Sequence, residues 1–341
     1  MVKNMCFDMV LWKKQMLGAG KKKTMPILSF PSIHLLGVTV RELITCADKQ
    51  ADGICAIADR VDSGAAVSFM DLSVEAECFG TTIHFSDDEV PAVTSACVRN
   101  MPQAEALEIP VVGSGRSGIC LDAIRKVKQR IFDRPVFAGM IGPFSLAARL
   151  MDVSEIMMDC YDDPDMVQLV VEKATTFLIE MANAYKAAGA DGIIMAEPVA
   201  GLLSPALEAE FSAPFCKRIV DAVQDDSFLL IYHNCGNGAA RMLKSIFSIG
   251  AAGYHFGNAV DMQQVLENAP KEALIMGNVD PVNVIQRGDP QSVVATVHQL
   301  MEQCCSYDNF VVSSGCDIPP LTEWENIEVF FKAVEDWYCD R

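Results

Sequence analysis

From about residue 130 onward the chain repeats one rhythm. A short run of apolar, often β-branched residues ends at a glycine, a proline or a polar residue, and a stretch with helical periodicity follows. "RPVFAGMIGPFSLAARLM" is the first clear instance. "GADGIIMAEPVAGLLSP" is the second, preceded by the long helical pattern "MVQLVVEKATTFLIEMANAYKAAG". "SFLLIYHNCGN", "GAAGYHFGN", "ALIMGNVDP" and "NFVVSSGCDIPP" continue the series. The strand-like runs are apolar throughout rather than alternating, as expected when both faces of a parallel sheet are covered. Strands alternating with long helices predict such a sheet.

Upstream, "GAAVSFMDLSVEAECFG" reads as a further strand and helix, and "TTIHFSDDEVPAV" as an extended or hairpin insertion. "FDMVLWKKQMLGAG" has the pattern of an amphipathic helix ending in glycine, before the turn "KKKTMP". Counting the weaker candidates gives seven or eight strands. There is no Gly-rich dinucleotide fingerprint and no split in composition. The pattern therefore predicts an α/β fold, a closed (β/α)8 TIM barrel with N-terminal helical and hairpin additions. A doubly wound open sheet is the second choice. One domain is expected over 1–341, with 1–65 as an extension packed on the barrel.

Composition narrows the function classes. Half of the 341 residues are apolar (51%), enough for a large core without staples. The net charge of −18 repels nucleic acid and anionic membrane. Lys21 to Lys23, the one basic cluster, reads as a solvated turn. Thirteen cysteines, an odd number scattered through apolar segments, do not form a secreted disulfide framework. They suit a reducing cytoplasm, most of them as small buried hydrophobes. Cys304 and Cys305 are adjacent, but a strained vicinal disulfide is not favoured. No apolar run reaches the roughly 18 residues of a membrane span, and the N-terminus lacks a clean signal-peptide pattern.

Candidate chemistry sits in "YHNCGN". In a parallel barrel the C-terminal ends of the strands face the active-site mouth. His233 and Cys235 occupy one such end and, two residues apart, point to the same side. Cys316 ends the last strand, in "FVVSSGCDIPP". In a closed barrel these two strand ends face each other, so one imidazole and two thiols meet over the centre. That donor set suits Zn²⁺, and three protein ligands with an exchangeable fourth is the pattern of a catalytic site. On pattern alone, packed or polar loop residues are an equal reading of all three. Two thiolates and a neutral imidazole cancel the charge of Zn²⁺. A substrate thiolate added to that set stays electron-rich, so the two cysteines argue for a thiol substrate over hydrolysis.

Several segments carry a family resemblance. "EPVAGLLSP", "YHNCGN", "MGNVDPVNVIQRGDP" and "SSGCDIPP" resemble those of the uroporphyrinogen decarboxylase superfamily. The His-x-Cys with a distant Cys, and "VEAECFGTTIHFSDDEVPAV", resemble its zinc-dependent corrinoid methyltransferase branch, of the methylcobalamin:coenzyme M methyltransferase type. The resemblance implies a (β/α)8 barrel holding zinc through His233, Cys235 and Cys316. It also implies methyl transfer between a corrinoid, as free methylcobalamin or on a corrinoid protein, and a small thiol. Base-off corrinoid carriers use a D-x-H-x-x-G type segment, which neither His34 nor His84 fits, so the corrinoid is expected as a visiting co-substrate.

Other mouth positions follow. Glu197, ending the fourth strand, is expected to point into the mouth, where it ligates zinc until substrate arrives. His255, at the sixth strand end, is open between fourth ligand, proton acceptor and packing. Asn278 and Asp280 either orient His233, bind substrate or cap the next helix. Gly142 lets backbone approach the ligand or merely makes a turn. Tyr232 should point to the opposite side and pack, and Asp317 is a candidate cap for the terminal helix. The alternatives are a decarboxylase acting on a tetrapyrrole and a noncatalytic corrinoid-binding barrel. Against the decarboxylase, "ILSFPSIHLLG" lacks the arginines that such enzymes use to hold a polycarboxylate substrate.

Overall fold

The structure, a computed structural model, describes residues 7–18 and 20–339. Its strands are β1 (Ala66–Val67), β2 (Ile83–His84), β3 (Ala92–Val93), β4 (Val136–Ile141), β5 (Gly192–Ala196), β6 (Leu229–Asn234), β7 (Gly253–Phe256), β8 (Leu274–Val279) and β9 (Phe310–Ser314). Seven of them form one sheet in the order β1-β4-β5-β6-β7-β8-β9, every neighbouring pair parallel. Helices connect successive strands and cover the outer face, as the strand–helix rhythm predicts. β2 and β3 form a separate antiparallel pair, the expected hairpin insertion.

The continuous apolar runs divide by alternation into two cores. Met195, Leu230, Tyr232, Tyr254 and Ile275 face outward into the helical layer. Phe137, Ile194, Leu229, Ile231, Leu274, Met276 and Val311 face inward and pack on one another. Tyr232 is on the outer side, as expected, and its hydroxyl accepts from Asn234 Nδ2 at 3.0 Å.

The expected closed (β/α)8 barrel is not formed. The sheet is open and curled into a half-barrel, and β9 and β1 do not pair. The free edge of β9 is met instead by the extended segment 24–30. Met25 N donates to Val312 O at 3.0 Å. Thr24 Oγ1 donates to the same carbonyl at 2.7 Å, and Ile27 N donates to Ser314 Oγ at 3.1 Å. Gly64, just ahead of β1, donates to Thr24 O at 2.8 Å. Pro26 and Pro31 have no N–H to give, so a regular ladder cannot run through this stretch. Of the three lysines before it, Lys21 and Lys23 are exposed, as expected of a solvated turn, whereas Lys22 is partly buried. Lys21 pairs with Glu335, Lys23 with Asp62, and Lys22 Nζ donates to Phe310 O. Burial lowers Lys22 to about 8.

The first helix, Met9–Met16, matches the amphipathic stretch read near the N-terminus. Asp8 caps it, accepting from Leu11 N at 2.9 Å. Its buried face, Met9, Trp12 and Met16, joins the inner core beside Phe137, Leu229 and Leu274, which begin or lie near the start of their strands. The Trp12 ring stands 5.5 Å from that of Phe137, and its Nε1 donates to Gly64 O at 2.8 Å. This helix therefore closes the end of the half-barrel from which the strands start.

All twelve described cysteines are free thiols, Cys304 and Cys305 included. No described helix is long and apolar enough to cross a membrane.

Trp12→Ala removes this plug and orphans the Gly64 carbonyl. The expected loss is about 3–5 kcal/mol, read from urea unfolding. A loss below about 1 kcal/mol would mean that the helix does not help to close the core.

Candidate metal centre

Along the inner face the side chains change character toward the C-terminal strand ends. On β6 they run Leu229, Ile231, His233; on β7, Gly253 then His255; on β9, Val311 then Ser313. His233 and His255 are direct partners in the parallel register, so their rings lie side by side, 4.6 Å apart at an angle of 67°. His233 Nδ1 is 2.7 Å from His255 Nδ1. His255 Nε2 is 2.7 Å from Ser313 Oγ, which itself donates to Met25 O at 2.8 Å.

Beyond the strand ends the two cysteines join this row. Cys235 follows β6 and Cys316 lies two residues past β9. Cys316 Sγ is 3.6 Å from His233 Nε2. One donor atom each from His233, Cys235 and Cys316 lies within 4.8 Å of the other two. Only two strands, β7 and β8, separate β6 from β9, and the curl of the sheet is enough to bring their ends together. Gly257 makes part of the fit: a Cβ there would lie 2.7 Å from Cys235 Cα and 2.9 Å from its Cβ. The loops after β6 and β7 can nest only because that Cβ is absent.

The electrostatics fit a soft cation. Cys235 is lowered from the ordinary thiol range, chiefly because the Cys316 thiol hydrogen-bonds to it. Cys316 is pushed up to about 12 by the same contact and by burial. A divalent ion bound here would displace the protons of both thiols. His255 is fully buried, and burial with the neighbouring His233 holds it well below the usual imidazole range. Two thiols and an imidazole nitrogen within 4.8 Å of one another are the donor types that zinc takes, three of the four it prefers.

The other expected mouth residues have different surroundings. Both ring nitrogens of His255 are occupied, by His233 and Ser313. Glu197 does not point freely into the mouth. It is fully buried and turned into the N-terminus of the helix Pro143–Met151, accepting from Phe144 N at 3.1 Å and Ser145 N at 2.5 Å. A carboxylate there satisfies orphan amides and complements the helix dipole. Burial nevertheless raises it to about 7. Gly142 serves this contact, since a Cβ would lie 2.3 Å from Glu197 Oε2. Asn278 Nδ2 donates to Gly257 O at 2.8 Å and Val260 O at 2.6 Å, pinning the loop after β7. Asp280 caps the π-helical turn Pro281–Gln286 through Val282 N and Asn283 N and accepts from Asn258 Nδ2 at 3.0 Å. Asp317 does not cap the terminal helix, which begins at Trp324; its Oδ1 is buried without a hydrogen bond.

Two features were not read from the sequence. One is Ser313, whose inward position two residues after Val311 is the available signal. The other is a buried ion pair at the mouth side of β1. Arg116, on the helix Gly115–Val127, pairs with Asp71, with Glu77 at 2.5 Å and with Ser73 Oγ at 2.8 Å. Its guanidinium also lies over Phe85, 4.9 Å from the ring centroid, tying the hairpin insertion to this network.

Comparison with known proteins agrees with this architecture. The uroporphyrinogen decarboxylase (URO-D) family model matches residues 30–337. The chain belongs to the uroporphyrinogen decarboxylase family. Among curated members it is 27% identical over 271 residues to a methylcobamide:CoM methyltransferase of Methanosarcina acetivorans, covering 78% of each chain. It is 24% identical over 286 residues to a uroporphyrinogen decarboxylase of Coxiella burnetii, covering 80% of this chain and 77% of that one. A solved methyltransferase from Methanosarcina mazei superposes with a TM-score of 0.86 at 23% identity, over 97% of this chain and 99% of that one. A B12-independent methionine synthase from Shewanella shares the fold more distantly, with a TM-score of 0.58 at 13% identity over 94% and 96% of the two chains. Within the URO-D family, the fold is thus related to that of corrinoid methyltransferases.

Behind β6 lies another buried acid. Glu208 is fully buried, and burial, offset only in part by a hydrogen bond from Ser245, raises it to about 7. The folded chain therefore keeps a proton there that the unfolded chain releases near pH 4.5, so stability falls as pH rises from about 4.5 to 7. Glu208→Gln removes the charged form. Its gain over wild type should be small at pH 5 and approach about 3 kcal/mol at pH 8, from urea midpoints at both values. An equal effect at the two pH values would contradict the assignment.

Proposed function

We propose that this protein is a zinc-dependent methyltransferase that moves a methyl group between a corrinoid and a small thiol. The observation that carries the reading is the convergence of His233, Cys235 and Cys316 at the inner C-terminal end of the half-barrel. Relatives named methylcobamide:CoM methyltransferase, and one named methylated-thiol–coenzyme M methyltransferase, support methyl transfer to a thiol. The 341 residues are read as one domain, with 1–65 as its N-terminal extension.

Zinc, when bound, would supply the Lewis acidity that strips the proton from a substrate thiol near neutral pH. His233 would hold the ion through an uncharged nitrogen donor while Cys235 and Cys316 would bring two thiolates, so the substrate sulfur would keep its electron density. That sulfur would attack the methyl carbon of a methylcobalt(III) corrinoid in line. The carbon–sulfur bond forms as the carbon–cobalt bond breaks, and the electron pair leaves with cobalt as cobalt(I). The thiol proton passes to solvent. The apolar inner core lies beneath the three donors, so the reacting sulfur would sit above it with the corrinoid on the far side.

In this reading Glu197 and Gly142 hold the helix beside the mouth, while Asn278 and Asp280 hold its loops; none of the four needs to touch substrate. The corrinoid arrives free, as methylcobalamin, or on a separate corrinoid protein, and the compartment is a reducing cytoplasm that keeps the thiols available. A decarboxylase acting on a tetrapyrrole has less support. The buried cation at the mouth, Arg116, is already matched by Asp71 and Glu77 and is not free to hold a polycarboxylate.

Metal analysis of the purified protein should find close to one zinc per chain, falling at least about tenfold in Cys316→Ser. The zinc-loaded protein should demethylate methylcobalamin when given small thiols, followed by the cobalt absorption spectrum. Wild type that takes up no zinc, or that demethylates equally well without it, would end this reading.

A further inference from the structure

His255 and Ser313 make no contact with substrate in the reading above, yet they control which nitrogen His233 can offer. The inference rests on that reading only in taking His233 as a metal ligand. Ser313 has one hydroxyl proton. Its Oγ lies 2.8 Å from the Met25 carbonyl, which can only accept, so the proton goes there. Toward His255 Nε2, 2.7 Å away, Ser313 can then only accept, so that nitrogen carries a hydrogen. His255 is fully buried, and its other nitrogen meets an imidazole rather than a carboxylate. Only one hydrogen fits between the two Nδ1 atoms 2.7 Å apart, and placing it on His255 would put a charge in the core with no anion facing it. His255 Nδ1 therefore offers a lone pair and accepts the hydrogen of His233 Nδ1 at 2.7 Å. His233 then has its lone pair on Nε2, the nitrogen 3.6 Å from Cys316 Sγ.

We propose that Ser313 and His255 form a tautomer relay, anchored on the main-chain carbonyl of Met25, that presets His233 with its Nε2 lone pair toward the two thiols before any metal arrives. Both are positioning residues. In the opposite alignment every hydrogen reverses and His233 Nε2 becomes a donor, which cannot bind a cation. The Met25 carbonyl excludes that alignment because it has no hydrogen to give. The relay also makes the extended segment 24–30 part of the support of the site, although that segment is distant in sequence from all three ligands.

The test begins with metal-free protein labelled with ¹⁵N-histidine, which contains five histidines. Long-range ¹H–¹⁵N correlation spectra should show His233 with its hydrogen on Nδ1 and His255 with its hydrogen on Nε2. Signals are assigned by the one lost in His233→Gln and in His255→Gln. Zinc affinity is then measured by competition with a chromophoric chelator. Ser313→Ala should weaken zinc binding about 10–100-fold while leaving the thermal midpoint within a few degrees, and Ser313→Thr, which keeps the hydroxyl, should restore it. A metal-free His233 carrying its hydrogen on Nε2 would overturn the relay, as would zinc affinity in Ser313→Ala within twofold of wild type. If wild type binds no zinc at all, the methyl-transfer reading fails, and the spectra of the metal-free protein still decide the relay.

Discussion

Everything functional in this molecule depends on the two-residue alternation of parallel strands. Each strand shows every second side chain to the inside, and the parallel register adds those positions into rows across neighbouring strands. Leu229, Leu274 and Val311 belong to an apolar floor. Nearer the C-terminal strand ends, His233 on β6, His255 on β7 and Ser313 on β9 form a polar row. A slip of one residue in β6 would exchange His233 for Tyr232 and turn the imidazole into the helical layer. The apolar residues of β6 itself resist such a slip, because it would carry Leu229 and Ile231 out of the inner core and Leu230 and Tyr232 out of the helical layer.

The strand–helix rhythm was legible because a doubly covered sheet needs unbroken apolar runs, and the seven runs read from the sequence became the seven strands of the sheet. The closure was not legible. A closed barrel and a curled open sheet make the same demand on each strand, and they differ only where the chain meets itself, at the segment containing Pro26. The soft donors His233, Cys235 and Cys316 were visible because they stand at strand ends after apolar runs. Glu197 and Asp280 were harder to assign. An acid just past a strand reaches either the mouth or the free amides of the following helix, and a single rotamer decides between them. Ser313 was out of reach for another reason: its contact, His255, lies two strands away, and sequence spacing carries no record of which strands curl together.

The acidity of the chain also looks different with the structure in hand. Glu197 and Asp280 satisfy helix ends, and Asp71 with Glu77 neutralises the buried Arg116. These internal partners absorb charge that composition alone would assign to the surface. They also remove the obvious cation from the mouth, leaving sulfur and imidazole as its most distinctive chemistry. A site of that kind selects its ligand by softness more than by charge.

The helix carrying Trp12 stoppers the end of the cup opposite the rim where His233, Cys235 and Cys316 converge. The depth of the cup is thereby taken up by packing, and the soft donors stand at its lip, on top of a solid base.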